Sequence, residues 1–370
     1  MRRFPCLAVL VVATAAAGAA RAEDVTSAPT PLFAYTGAFN VVAAGGRSRV
    51  GSYVHTAAAG VKLPVSGPWS LTVQGAATAG TDLTTRVLGN VAGVQGPFNA
   101  GNGFWLYEVK LSYETEAAKL FVGRLSSGDA LPGVSGMDQF VNSAFSSNGG
   151  ALSVNDAGRG TTPAATWGVT GRRSFAAVEL RGGAFLSDPA RMTLGKHGLD
   201  LSFRPGDGVF GFAEAVAPVG GGLKAGLGAF GDSARFATFD GRTERGNGGA
   251  YAWIERPPPD KGPGISGFAM AEAAPGAEKN LQPLFLIAGM TWHGLNGRRP
   301  EDSASLGVAS GRFSHRSPLH GTETVLEADY RFTLSDHFGV RPDLQYVINP
   351  GGRAAARNAL VLGVQLEASL

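Results

Sequence analysis

Alternation of apolar and polar residues is the clearest pattern in this chain. From Leu326 to Leu334 the even positions are mostly apolar, whereas the odd positions from Glu323 to Thr333 are mostly charged. Similar alternation recurs over residues 103–114, 340–348 and 360–370. Because successive side chains on a β-strand point to opposite faces, the pattern predicts strands with one apolar and one polar face.

Amphipathic strands fit either a soluble sheet or a membrane barrel with a lipid face and a polar lumen. The segments approach the ~10 residues that a tilted transmembrane strand needs. Aromatic residues such as Trp105, Tyr113, Tyr330 and Tyr346 lie near predicted strand ends, where interfacial girdles form. The last predicted strand also runs to an apolar final residue, Leu370. These features favour the barrel.

Counting segments back from Leu370 predicts sixteen strands. They lie near 32–42, 53–64, 69–79, 103–114, 117–125, 164–171, 174–186, 207–217, 222–232, 247–256, 264–274, 282–292, 303–314, 322–334, 337–348 and 359–370. A seventeenth strand at Leu199–Phe203 would place the long segments 80–102 and 126–163 on the periplasmic side. Since periplasmic turns are short and external loops long, we assign 187–206 to an external loop. The predicted fold is an all-β, transmembrane antiparallel barrel of sixteen strands.

The N-terminal segment predicts export. Arg2 and Arg3 precede an apolar run over 7–20, which ends at the small-residue pattern Ala20-Arg21-Ala22. This is typical of a cleaved signal peptide, so we expect a leader at 1–22, Sec-dependent export to the outer membrane and a barrel over 23–370. The single cysteine, Cys6, lies in the leader. We therefore expect no disulfide and no thiol chemistry in the mature chain.

Composition argues against several other functions. Charged residues make up 16% of the chain and the formal net charge is +3, with no basic cluster of the kind that nucleic-acid binding requires. The six histidines show no metal-ligand spacing, and no nucleophile motif is present. We expect no enzyme activity, no cofactor, no metal and no nucleic-acid partner.

The segment near 126–163 is too long for an ordinary connection, and such loops are usually functional or disordered. We interpret it as a constriction loop that folds into the lumen, where Phe140 and Phe145 pack against the wall. A mobile external loop is the alternative.

Charged residues supply candidates for the narrowest part of the lumen, the eyelet. An arginine on the lipid face near mid-membrane would cost about 2–4 kcal/mol, so we expect Arg124 to point inward and to form an eyelet pair with Glu108. A structural ion pair is the alternative. The inward faces of the C-terminal strands add further candidates for solute contact, which also fit a wall network: Glu327, Asp329, Arg331 and Asp343.

The C-terminal region resembles a known family. Residues 323–327 read Glu-Thr-Val-Leu-Glu, and 342–352 read Pro-Asp-Leu-Gln-Tyr-Val-Ile-Asn-Pro-Gly-Gly. Together with Gly-Arg-Leu at 123–125 and Phe-Val-Asn-Ser-Ala-Phe at 140–145, these runs resemble the OprB carbohydrate-selective porins. Leu370 departs from the family's usual terminal phenylalanine. The resemblance implies a barrel with a charged eyelet, through which glucose-like sugars diffuse passively.

Three functions remain open from the sequence. The first is sugar permeation, in which the rigid arginine fork suits vicinal hydroxyls and binding stays weak enough for release. The others are a general porin for small polar solutes and a closed structural or adhesive barrel. The expected partners are sugars or other small polar solutes and outer-membrane lipid, with the chain acting as a monomer or homotrimer.

Overall fold

The computed structural model describes residues 28–97, 101–131, 134–146, 150–156, 165–187, 197–202, 208–260, 262–295, 297–353 and 357–370. The predicted leader at 1–22 lies outside these residues. In the described part of the chain, no helix is long and apolar enough to cross a membrane.

The described residues form sixteen antiparallel strands in one closed barrel. Each strand pairs with its neighbours in sequence, and β1 closes the barrel against β16 through pairs such as Ala34 with Ser369. The predicted strand number and closure are therefore confirmed. The strands are β1 (Thr30–Ala44), β2 (Gly51–Ser66), β3 (Trp69–Gly80), β4 (Gly103–Glu114), β5 (Ala118–Leu125), β6 (Thr166–Phe175), β7 (Val178–Ser187), β8 (Gly208–Gly220), β9 (Leu223–Ala237), β10 (Thr243–Arg256), β11 (Gly264–Ala273), β12 (Leu284–His293), β13 (Ser303–Arg312), β14 (Thr322–Ser335), β15 (Phe338–Ile348) and β16 (Ala359–Ser369).

The two ends of the barrel differ in their connections. At the end that carries the start of β1 and the end of β16, called the terminal end below, turns such as 67–68, 176–177 and 221–222 are tight. Gly220, Gly221 and Gly222 have φ of 91°, 60° and 75°, a left-handed conformation that glycine adopts without steric cost. The opposite end carries the long connections 81–102, 126–165 and 188–207. This asymmetry matches outer-membrane barrels, whose long loops face outward.

The two faces of each strand differ in exposure as the alternation predicts. Leu326, Leu344 and Leu362 on the outer face are 42%, 42% and 44% exposed, whereas Glu327 and Gln345 on the inner face are 2% and 0% exposed. A one-residue shift of register would reverse every assignment. The predicted register of the C-terminal strands is therefore confirmed.

Asp302 joins the turn before β13 to β14 by hydrogen bonds at the terminal end of the barrel. Its carboxylate accepts hydrogen bonds from Arg299 Nε at 2.5 Å, the Tyr330 hydroxyl at 3.0 Å and the Thr333 backbone N at 3.0 Å. Burial alone would raise the pKa of Asp302, but these bonds to the ionised form outweigh it and the pKa is lowered.

Part of the long connection 126–165 lies inside the barrel. The inner loop, residues 126–156, contains three 3₁₀ turns (Ser127–Ala130, Ser135–Gln139 and Ser143–Phe145) and a short helix α1 (Gly150–Asn155). Its buried side chains, including Met137, Phe145 and Leu152, form one apolar cluster with wall residues such as Phe268 and Ile287. This contact supports the prediction of a loop folded into the lumen rather than a mobile external loop.

Candidate functional site

A buried carboxyl group on β14 holds the middle of the inner loop. Glu327 Oε1 accepts a hydrogen bond from Val141 N at 2.6 Å, and Oε2 accepts one from Asn142 N at 2.9 Å. The Asn142 side chain donates to Gln345 Oε1 on β15 at 2.8 Å. Buried backbone N–H groups need a partner, and here the wall supplies it.

Two further contacts fix the loop's position. Glu255 Oε1 on β10 accepts from the Ser135 hydroxyl at 2.6 Å and from Gly136 N at 2.8 Å. The rings of Phe140 and Phe145 stack with their centroids 4.3 Å apart. They lie over wall glycines, and a Cβ built on Gly307 would come within 2.6 Å of both rings. The glycine therefore permits the loop's close approach to the wall.

The connection 81–102 is joined to the inner loop. The Glu323 carboxyl accepts hydrogen bonds from the backbone N of Val91 and Ala92. Gly93 N donates to the Ser143 hydroxyl at 2.6 Å, and Ser143 N donates to Gly93 O at 2.8 Å. Both loops are thus anchored to wall carboxyl groups and to each other.

The inner loop and the large apolar side chains of β7–β14 fill one side of the lumen. On the other side, several of the inward-facing side chains of β1–β7 are only half-buried. We call this surface the polar wall. It is formed by the half-buried Thr36, Thr56, Lys62, Gln74, Lys110, Glu114, Lys119, Phe121, Thr170, Glu179 and Arg181, together with Glu108, which is buried at its centre. The polar wall therefore offers hydrogen-bonding groups that are accessible from the lumen.

Glu108, Lys110 and Phe121 form the centre of the polar wall. Lys110 Nζ lies 2.7 Å from Glu108 Oε1 and 5.3 Å from the centroid of the Phe121 ring. Gln74 is paired directly with Glu108 across β3 and β4. The group combines an acceptor, a cationic donor and an aromatic face within one small area.

Charge pairs of both signs line the polar wall nearer the terminal end. Glu114 accepts from Lys62 at 3.1 Å and from Lys119 at 2.9 Å. Further round the barrel, Arg181 on β7 lies 3.3 Å from Glu214 on β8. Because each charge has a partner, this part of the wall offers hydrogen bonds to a polar solute without a large excess of one sign.

The four predicted C-terminal candidates face inward; Glu327, Asp329 and Asp343 are buried, and Arg331 is half-buried. Glu327 binds the inner loop. Asp329 and Asp343 are paired directly across β14 and β15 and are 7% and 5% exposed. Arg331 Nε donates to Glu367 Oε2 at 2.9 Å. A direct solute contact by any of these residues stays a prediction.

Arg124 does not face the lumen, so its predicted inward orientation and pairing with Glu108 are wrong. In the register of β4 and β5, Val122 pairs with Leu111 and Arg124 pairs with Val109. Val122 and Leu111 are 42% and 39% exposed on the outer face, and Arg124, two residues after Val122, shares that face.

The cost of an outward arginine is avoided because Arg124 is covered. Its guanidinium donates to the backbone carbonyls of Ala165, Gly198 and Asp200 at 2.6, 2.9 and 3.2 Å. The side chain is 5% exposed. The expected cost applies to an arginine that faces bare lipid, and here a segment distant in sequence covers the side chain.

Sequence reasoning missed Lys110 and Phe121. One signal was available for Lys110, because it lies two residues after Glu108 and so shares its inward face. Phe121 lies in an apolar stretch of β5 whose alternation does not distinguish the two faces. Its inward direction follows only from its pairing with buried Ser112.

Among the described residues, no group of three or more His, Cys, Asp or Glu side chains has the arrangement of a metal site.

Comparisons with known proteins agree with this architecture. The high-pH structure of Pseudomonas putida OprB matches with a TM-score of 0.80 at 20% identity, over 92% of this chain and 94% of that chain. The low-pH structure of the same protein gives 0.57 at 16% identity, over 92% of each chain. The trimer form of Vibrio cholerae OmpT gives 0.51 at 11% identity, over 93% of this chain and 100% of that chain.

At these identities the solved structures establish the fold. No curated protein matches the chain. The family is established by sequence, since the model of the OprB family, described as carbohydrate-selective porins, matches residues 69–370. This chain is therefore a member of the OprB family of carbohydrate-selective porins, β-barrel channels of the outer membrane.

Proposed function

We propose that glucose-like sugars diffuse along the polar wall and make their closest contacts with Glu108, Lys110 and Phe121. The juxtaposition of an ion pair with an aromatic face at mid-strand carries this proposal. The barrel itself is the unit of permeation, either as a monomer or as each copy of a homotrimer.

The chemistry of a hexose fits these three side chains. Its hydroxyls donate to a carboxylate and accept from an ammonium group, while its C–H faces pack on an aromatic ring. Lys110 and Glu108 also bind each other, so a sugar exchanges existing hydrogen bonds for new ones and gains little free energy. Weak binding of this kind permits rapid release, which conduction requires.

A general porin for small polar solutes is the rival function, and a planar-bilayer measurement separates the two. For the sugar path, glucose reduces the single-channel current at concentrations where an uncharged polymer of similar size does not. Equal block by both solutes would support the general porin, and no current at all would support a closed barrel.

Two variants test whether the sugar contacts Phe121. Phe121→Ala should weaken glucose block while the open channel conducts at least as well as the parent. Phe175→Ala is the matched control, because Phe175 is 50% exposed next to the turn 176–177 and lies outside the polar wall. If both variants bind glucose as the parent does, the proposed contact is wrong.

A further inference from the structure

We propose that Arg124 and Trp167 complete the barrel wall by holding residues 197–202 in a gap that β5 leaves open. We call this segment the wall patch. Arg124 is then a positioning residue that seals the wall and fixes the exit of the long connection 126–165, and it makes no contact with sugar.

The gap follows from the length of β5. Pairing between β4 and β5 runs from Glu114 with Lys119 only to Val109 with Arg124, after which the chain leaves the wall at Leu125. β4 begins at Gly103, so its first residues, 103–108, have no partner on β5. The Leu106 N–H on this stretch donates instead to His197 O of the wall patch at 2.9 Å.

The wall patch is not a strand, yet the carbonyls of His197, Gly198, Asp200 and Leu201 all accept hydrogen bonds. Besides the His197 carbonyl, Gly198 O and Asp200 O accept from the Arg124 guanidinium at 2.9 and 3.2 Å. Leu201 O accepts from the Trp167 indole N–H at 3.1 Å. Non-strand backbone at membrane depth is unfavourable unless its polar groups find partners. Two side chains here supply bonds that a strand ladder would otherwise provide.

The outer surface of the wall patch suits lipid. Leu199 and Leu201 are 67% and 52% exposed, and Phe104 on the neighbouring part of β4 is 66% exposed. The polar backbone of the patch thus faces Arg124 and Trp167, while large apolar side chains remain exposed beside the other outward residues of the wall.

Arg124 suits this position for a geometric reason. One guanidinium reaches three carbonyls, because Arg124 also donates to Ala165 O at 2.6 Å, directly before β6. Trp167 is paired with Arg124 across β5 and β6. The guanidinium carbon of Arg124 lies 5.8 Å from the centre of the Trp167 ring. Lysine has one nitrogen on a flexible stem and does not reproduce this fork.

The direct test compares Arg124→Ala and Arg124→Lys with the parent in lipid bilayers. Arg173→Ala is the matched control, since Arg173 is an exposed arginine near the terminal end of β6. Both Arg124 variants should be cleaved within 197–202 by an added protease about tenfold faster or more, because cleavage follows the population of the displaced segment. Their single-channel current should be noisier, with glucose block unchanged. Protection equal to the parent in Arg124→Ala, or full rescue by Arg124→Lys, would overturn the proposal.

A second test does not depend on whether these variants fold. Single cysteines at Leu199 and Leu201 in the otherwise unchanged barrel should react with a lipid-soluble maleimide and resist a charged, water-soluble one. Arg242→Cys, in the exposed connection 238–242, is the control that reacts with the water-soluble reagent. If both leucine positions react with the charged reagent as fast as position 242, the segment is a solvated loop and not part of the wall.

Discussion

Replacing Glu327 by alanine should release the inner loop from the barrel wall. The Glu327 carboxyl is 2% exposed and accepts the backbone N–H groups of Val141 and Asn142. Both donors are buried, so removal of the acceptor leaves two unsatisfied N–H groups in place unless the loop moves.

The size of the effect follows from these two bonds. Leaving a buried donor without its partner costs about 1–3 kcal/mol, so the variant loses about 2–6 kcal/mol of anchoring free energy. The lower figure already raises the population of the displaced loop about 30-fold. The Glu255 contacts and the stacked Phe140 and Phe145 remain, so the loop should fluctuate rather than unfold.

Single-channel recording measures this fluctuation. The parent should show a steady current, and Glu327→Ala should show frequent transitions between current levels and closure at lower voltage. Glu301→Gln is the control, because Glu301 is an exposed carboxylate in the turn 294–302. If the Glu327→Ala channel inserts normally and its current fluctuates no more than that of the parent, the anchoring role is refuted.

Three further predictions concern the barrel wall and the turn that Asp302 holds. Gln74→Cys should react with a membrane-impermeant thiol reagent while Val73→Cys, on the outer face, should not; the opposite result would place β3 in the wrong register. Gly307→Ala should displace the Phe145 ring and lower stability by about 1–3 kcal/mol, and unchanged urea unfolding would contradict this close contact. Because the pKa of Asp302 is lowered in the folded state, its contribution is present above the ordinary carboxyl pKa of about 4 and lost as pH falls through the folded value. Asp302→Asn should therefore lower stability at about pH 7 by about 1–3 kcal/mol, and the difference from the parent should vanish in strong acid.

The sequence was sufficient for properties that depend on neighbouring residues. The positions of Leu326 and Glu327 on opposite faces follow from alternation alone. The exclusion of 199–203 from the strand count followed from the lengths of the connections, because only that choice placed all long loops at one end. The first result rests on the two-residue period of a strand, and the second on the short periplasmic turns of outer-membrane barrels.

Properties that depend on distant contacts were beyond the sequence. The inward direction of Glu327 was predicted, but not its burial beneath Val141 and Asn142. The error at Arg124 has the same origin, since its partners Gly198 and Asp200 are more than seventy residues away in the chain. The alternation in β5 is too weak to reveal a covered outer face.

A structure of the protein with bound glucose tests the central claim most directly. Sugar density should lie on the polar wall, against the Phe121 ring and within hydrogen-bond distance of Glu108 and Lys110, with the inner loop in place over Glu327. Density among the aromatic side chains of β8–β11, or a path blocked at Phe121, would contradict the assignment of the polar wall as the route for sugars.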